Sequence, residues 1–139
     1  MRYLIITFMA LVMTACSSQE QTPKPENVGK RVDQLIEQNN YDEAISMLND
    51  MEKSPEVKLQ LEKAHLNYGI YLEYEGGDRS MRDRMTDALR QYIEVLRLNP
   101  NNQKAHAEVQ QIMGIYKTMP DKNVPDDIVN ALDEMGVKY

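Results

Sequence analysis

Cys16, His65 and His106 are the side chains of this 139-residue chain best suited to nucleophilic or metal chemistry, and the sequence holds one Cys and two His in all. One Cys and two His cannot close a four-ligand zinc site without carboxylates, and a single Cys has no partner for an internal disulfide. A catalytic thiol needs a histidine beside it. Yet Ser17 to Asn27, which follow the cysteine, are polar and punctuated by Pro23 and Pro25, the composition of a flexible tether. No Ser-His-Asp spacing and no His-x-x-x-His pair occurs. Gly76-Gly77 lacks the Lys-Ser/Thr of a phosphate-cradling loop, and Asp78, Asp83 and Asp87 lack the Gly and final Glu of a calcium loop. These spacings predict no catalytic residue, no metal and no cofactor. An enzyme would require a pocket in which two carboxylates, or a carboxylate and a histidine, converge.

Charge narrows the partners further. There are 22 acidic against 16 basic residues, a formal net charge of −6, and the only strongly basic stretch is Lys30-Arg31. A nucleic-acid backbone would meet net repulsion rather than release counterions, so nucleic acid is not an expected partner. The length allows one domain at most.

The N-terminal segment reads as an address. Met1-Arg2-Tyr3 is a short basic start, Leu4 to Val12 is apolar except for Thr7, and Met13-Thr14-Ala15 lead into Cys16. The run is shorter than the roughly 20 apolar residues that span a bilayer, and it has the layout of a secretory signal. Small residues followed by the sole cysteine resemble the lipobox of bacterial lipoproteins, with Met13 where a Leu is usual. The resemblance implies removal of residues 1–15 and lipidation of Cys16 on its sulfur and amine. Residues 16–27 then become a lipidated tether. Each buried acyl CH₂ contributes about 0.8 kcal/mol, so several chains anchor stably. Ser17, rather than Asp, after the cysteine implies sorting to the periplasmic face of the outer membrane.

Beyond the tether every segment has helical period. Val28, Val32, Leu35 and Ile36 line a first helix stopped by Asn39-Asn40, and Tyr41, Ala44, Ile45, Leu48 and Met51 line a second. Ser54-Pro55-Glu56 caps a third, which runs to about Glu75 and ends at Gly76-Gly77. Ser80 with Asp83 starts a fourth, reaching Leu98 before Asn99-Pro100. A fifth spans about Gln103 to Thr118 with Val109, Ile112, Met113 and Tyr116 inward. A sixth starts at Pro125-Asp126-Asp127 and ends at Gly136, with Ile128, Leu132 and Met135 on one side. No useful stretch alternates with period two. The expected fold is all-α, a right-handed array of antiparallel helical hairpins with about six helices.

Within that array Asn40-Tyr41-Asp42-Glu43-Ala44-Ile45, and Ala88 through Tyr92 and Val95 to Asn99-Pro100, are similar to the second helix of a tetratricopeptide repeat. Tyr68-Gly69 and Leu72 match positions of the first helix, with His65 and His106 where a Trp is usual. The resemblance covers repeats over residues 28–119, leaving 120–139 as a link and a C-terminal capping helix of the kind such arrays need. It places both histidines between the helices of their own hairpins. Ala44 to Ala88 exceeds the roughly 34-residue period by about ten residues. About seven of them follow Gly76, close to two helical turns, so the fourth helix is expected to begin early and project.

The resemblance also implies a groove that holds a protein or peptide partner. Its lining is expected from Ile36, Leu66, Asn67, Ile70, Tyr74, Lys104 and Gln111, since Leu66, Ile70 and Tyr74 stack four apart on one side of the third helix. Asn67 and Lys104 match the subclass that clamps a C-terminal carboxylate, but Gly29, Asp33 and Glu108 replace its other donors. Acids there repel a terminal carboxylate and favour a ligand with a basic or neutral tip. Met81 and Met85, four apart on the projecting start of the fourth helix, form the alternative partner face. The expected function is a lipid-anchored interaction module of the bacterial cell envelope. The other reading is a structural accessory or pilotin-like assembly subunit of an outer-membrane complex.

Overall fold

The structure, a computed structural model, describes residues 25–119 and 123–139, with side chains from residue 28 onward. Cys16, the signal segment 1–15 and most of the tether lie outside the described residues. Six helices are present among them and no strand: α1 Pro25–Glu37, α2 Tyr41–Asn49, α3 Pro55–Tyr74, α4 Met81–Leu98, α5 Gln103–Lys117 and α6 Asp126–Glu134. The all-helical expectation holds, and the packing is compatible with a row of hairpins. One boundary differs, because α1 begins at Pro25, inside the segment read as tether.

Local chemistry sets the helix ends. Ser54 Oγ accepts from the Val57 amide at 3.2 Å, Ser80 Oγ from the Asp83 amide at 3.1 Å and Asn102 Oδ1 from the Ala105 amide at 2.9 Å, each satisfying a donor the helix itself leaves free. At the end of α1, Asn39 takes φ 58°, a left-handed conformation that Asn tolerates better than most residues. The chain then turns back: the Asn39 amide donates to the Ile36 carbonyl and the Asn40 amide to the Leu35 carbonyl. At the end of α3, Gly76 is required sterically, since a Cβ there would strike the Arg84 side chain and lie 2.7 Å from the Leu72 carbonyl oxygen.

Burial divides into two cores. The N-terminal one is built from Val28, Val32 and Leu35 of α1, Ala44 and Leu48 of α2, and Val57, Leu61 and Ala64 of α3. A C-terminal core gathers Leu72 of α3 with the inner faces of α4, α5 and α6, including Ala88, Leu89, Tyr92, Val109, Ile112, Ile128 and Leu132. The twenty residues of α3 therefore serve both. Tyr41 of α2 stacks on Tyr68 of α3 with ring centroids 4.9 Å apart and leans on Tyr71 at 5.2 Å, tying the first hairpin to the middle of α3. Glu62 holds the next turn in place, accepting from the side-chain amides of Asn99 at 2.8 Å and Asn102 at 2.7 Å.

Two expectations are corrected here. The start of α4 does begin early but does not project: Arg84 donates to the Glu73 carbonyl at 3.0 Å, and the Tyr116 hydroxyl donates to the Arg82 carbonyl at 3.2 Å. Tyr116 also shares a hydrogen bond with Thr86 at 2.7 Å. These contacts turn Met85 inward, in register with Ala88, Leu89 and Tyr92, and leave it 8% exposed while Met81 is 47% exposed. The Met81/Met85 pair is therefore not a surface. The histidines part company as well. His65 shares a 2.8 Å hydrogen bond with Gln91 across α3 and α4, as a position between paired helices implies, whereas His106 bonds the Pro100 carbonyl at 2.8 Å and fastens the α4–α5 turn.

Candidate binding face

Along one side of α3 the packing leaves apolar side chains exposed or half-buried. Leu59 is 57% exposed, Leu66 and Ile70 are half-buried against the C-terminal core, and Tyr74 is 59% exposed. Spacings of seven, four and four residues put all four along one side of a helix. At its N-terminal end the stripe borders a shallow depression of about 370 Å³ lined by Leu59, Gln60, Glu62, Lys63 and Leu66. The flanks are set by α1 and α5. Lys63 of α3 forms an ion pair with Asp33 of α1, and Gln111 of α5 reaches Tyr74 on α3.

The expected groove residues are brought together only in part. Tyr74 and Gln111 meet directly, with Gln111 Nε2 3.3 Å from the Tyr74 hydroxyl. Lys104 stands one helical turn before Glu108 and pairs with it, which raises the lysine pKa through that hydrogen bond and the charge of Glu108. Asn67 donates to the Lys63 carbonyl of its own helix at 2.8 Å. Ile36 packs on the N-terminal core, while Leu66 and Ile70 pack on the C-terminal one, so the seven residues straddle two packing units.

A buried residue at the C-terminal end of the face is one the sequence reading passed over. Glu73 is 3% exposed. Its two carboxylate oxygens are held from opposite sides: Tyr92 of α4 donates its hydroxyl to Oε2 at 2.8 Å, and Gln111 of α5 donates Nε2 to Oε1 at 2.8 Å. Glu108, 3% exposed in the same wall, has Lys104. Burial pushes the Glu73 carboxyl above its usual range and the Glu108 carboxylate pushes the same way, while the Tyr92 and Gln111 donors and the Lys104 charge pull it partly back. Tyr92 is raised too, first by burial and then by its bond to Glu73. A signal for Glu73 was present in the spacing. It lies seven residues after Leu66 and three after Ile70, on the stripe itself, but an acid on an apolar stripe reads as its solvated edge unless a tyrosine from another helix is known to reach it.

Glu73 gives the site a pH signature. Its folded-state pKa lies above the ordinary value of 4.5, so as pH rises past 4.5 the unfolded chain loses this proton first. The group's effect is therefore to lower stability as pH climbs from 4.5 to the folded value, and to be constant above it. Glu73→Gln cannot ionise. Urea titrations between about pH 4 and 8 should show the stability of the variant, relative to the parent protein, improving with pH. A flat difference would mean Glu73 titrates as an ordinary exposed acid, and one that falls with pH would mean the fold stabilises its charged form.

Chemically the face offers apolar contact beside two buried carboxylates, Glu73 and Glu108. Both oxygens of Glu73 already hold donors, which suits holding a group in place rather than moving a proton. Among the described residues no cluster of His, Cys, Asp and Glu could hold a metal ion, and no helix is long and apolar enough to cross a membrane. No protein-family model, no curated protein and no solved structure matches this chain.

Proposed function

We propose that this chain is a protein–protein interaction module of the bacterial cell envelope, a tetratricopeptide-like scaffold or adaptor that docks a protein or peptide partner on the open side of α3. The observation that supports it is the stripe on which exposed Leu59 and Tyr74 bracket half-buried Leu66 and Ile70, flanked by α1 and α5; among the described residues the other exposed large apolar side chain is Met81.

Docking is tested by crosslinking the protein in its native membrane and comparing variants of the stripe. Ile70→Glu and Tyr74→Ala are expected to keep the helical circular dichroism of the parent and to lose the captured partner. Full capture by both folded variants would move the site off α3.

The anchor belongs to the same proposal. The lipobox-like run ending in Cys16 supports attachment of acyl chains there and a station on the periplasmic face of the outer membrane. Cys16→Ala is expected to release the protein from membranes or leave an unprocessed precursor. An intact mass showing an unmodified Cys16 in protein isolated from its native host rules the anchor out.

A further inference from the structure

The wall of the α3 face is short of positive charge. It buries two carboxylates, Glu73 and Glu108, and the cation placed on them, Lys104, is bound to Glu108. Glu73 is left with two neutral donors, a hydroxyl and a side-chain amide. Arg84 is close along the chain path, but its guanidinium serves the Glu73 backbone carbonyl at the end of α3. Lys63 is committed to Asp33, and Glu62 accepts from Asn99 and Asn102 at the α4–α5 turn. A buried carboxylate without a counter-charge is costly, and the penalty is removed by a cation that can reach it.

An exposed side chain stands at Glu73. Gln111 is exposed, and its amide is the hydrogen-bond partner of Glu73 Oε1 among the described residues. Rotating it away uncovers that oxygen while Tyr92 keeps Oε2. Beside the opening stands the exposed ring of Tyr74, whose hydroxyl already touches the same amide. A guanidinium suits this opening better than an ammonium: it is planar, it has donors left over for the Gln111 carbonyl oxygen and the Tyr74 hydroxyl, and it stacks on an aromatic face.

We infer that Glu73 is the specificity-determining residue of this face, and that the partner presents an arginine, flanked by apolar side chains, which displaces Gln111 and pairs with the Glu73 carboxylate; the inference rests on the α3 face being the docking surface. Apolar flanks lie along Leu66 and Ile70, and the charge pair fixes register. Ionisation of Glu73, which its burial disfavours in the free protein, becomes favourable once the guanidinium is seated.

The test uses the whole chain, isotope-labelled on its methyl groups and glutamine side chains, titrated with the acetylated tripeptide amide Leu-Arg-Leu and its neutral isostere Leu-citrulline-Leu. The arginine peptide is expected to shift the Gln111 side-chain amide together with the Leu66 and Ile70 methyls, saturably, and to bind about tenfold tighter than the citrulline peptide. Glu73→Gln should erase that preference. Gln111→Ala, a change at an exposed helical position, should strengthen arginine-peptide binding severalfold by removing the competing donor. Equal affinity for the two peptides, with Leu66 and Ile70 still shifting, overturns the role of Glu73 and leaves the docking face standing. Shifts confined to other surfaces, or no saturable shift with either peptide at millimolar concentration, overturn both.

Discussion

Tyr92→Ala should cost about 3–5 kcal/mol, the range for removing a large aromatic side chain from a core. Tyr92 is fully buried, the largest side chain so enclosed among the described residues, and it touches both halves of the problem the fold has solved. Its ring fills the space between α3 and α4, and its hydroxyl is a donor to the buried Glu73 carboxylate at 2.8 Å. Alanine leaves a cavity and an acid with one donor fewer. Tyr92→Phe separates the two effects, keeping the ring and removing only the donor, for an expected loss of about 1–3 kcal/mol. Since a domain of this kind holds only about 5–15 kcal/mol in total, the alanine variant should melt far below the parent protein. Urea or thermal unfolding followed by circular dichroism gives both numbers. A phenylalanine variant as stable as the parent would show that the hydroxyl does not support Glu73.

Gly69→Val is expected to cost roughly 3 kcal/mol or more, at the upper end for overpacking. A Cβ built on Gly69 lies 2.5 Å from Cε1 of Tyr92 and 2.9 Å from Cδ1 and Cζ, so the α3 backbone is seated directly on that ring. The ring cannot swing aside, because its hydroxyl is tied to Glu73 and its surroundings are filled. Alanine at this position gains about 1 kcal/mol of helix propensity and still meets the clash, so it too should be destabilising. The two positions are coupled. In the double variant Gly69→Val with Tyr92→Ala, the valine methyls enter the space the ring vacates, and the loss should be clearly smaller than the sum of the single losses. Strict additivity would mean the close approach of α3 and α4 at Gly69 is misplaced.

Helix positions were legible in the sequence because they are written in local chemistry: Ser54, Ser80 and Asn102 are caps, Asn39 and Gly76 are stops, and Val109, Ile112, Met113 and Tyr116 keep an unbroken inner face. What could not be read locally was rotation and reach. Whether Met81 and Met85 face solvent depends on how α4 is turned, and that is decided by Arg84 on the Glu73 carbonyl and Tyr116 on the Arg82 carbonyl, contacts from α4 back to α3 and from α5. Leu66, Ile70 and Tyr74 were found as a stripe from spacing alone. Glu73, one residue from Tyr74, was missed because its burial is imposed by Tyr92 and Gln111, nineteen and thirty-eight residues downstream. Tyr92 itself could be placed in a core from its distance to Ala88, but nothing in α4 says that its hydroxyl ends on an acid.

A helix that belongs to two cores has a mechanical meaning. Val57, Leu61 and Ala64 commit the first half of α3 to α1 and α2, and Leu72 commits its last turns to α4, α5 and α6. Backbone hydrogen bonds run through the junction without a break from Pro55 to Tyr74. Neither end of the molecule can melt and leave the other intact without fraying the rod they share, so the two cores form one cooperative unit despite their separate packing. The stripe runs along that rod from Leu59 to Tyr74. A partner lying along it would splice the two halves a second time, from outside, so that any strain pulling the first hairpin away from the last would have to break the complex as well.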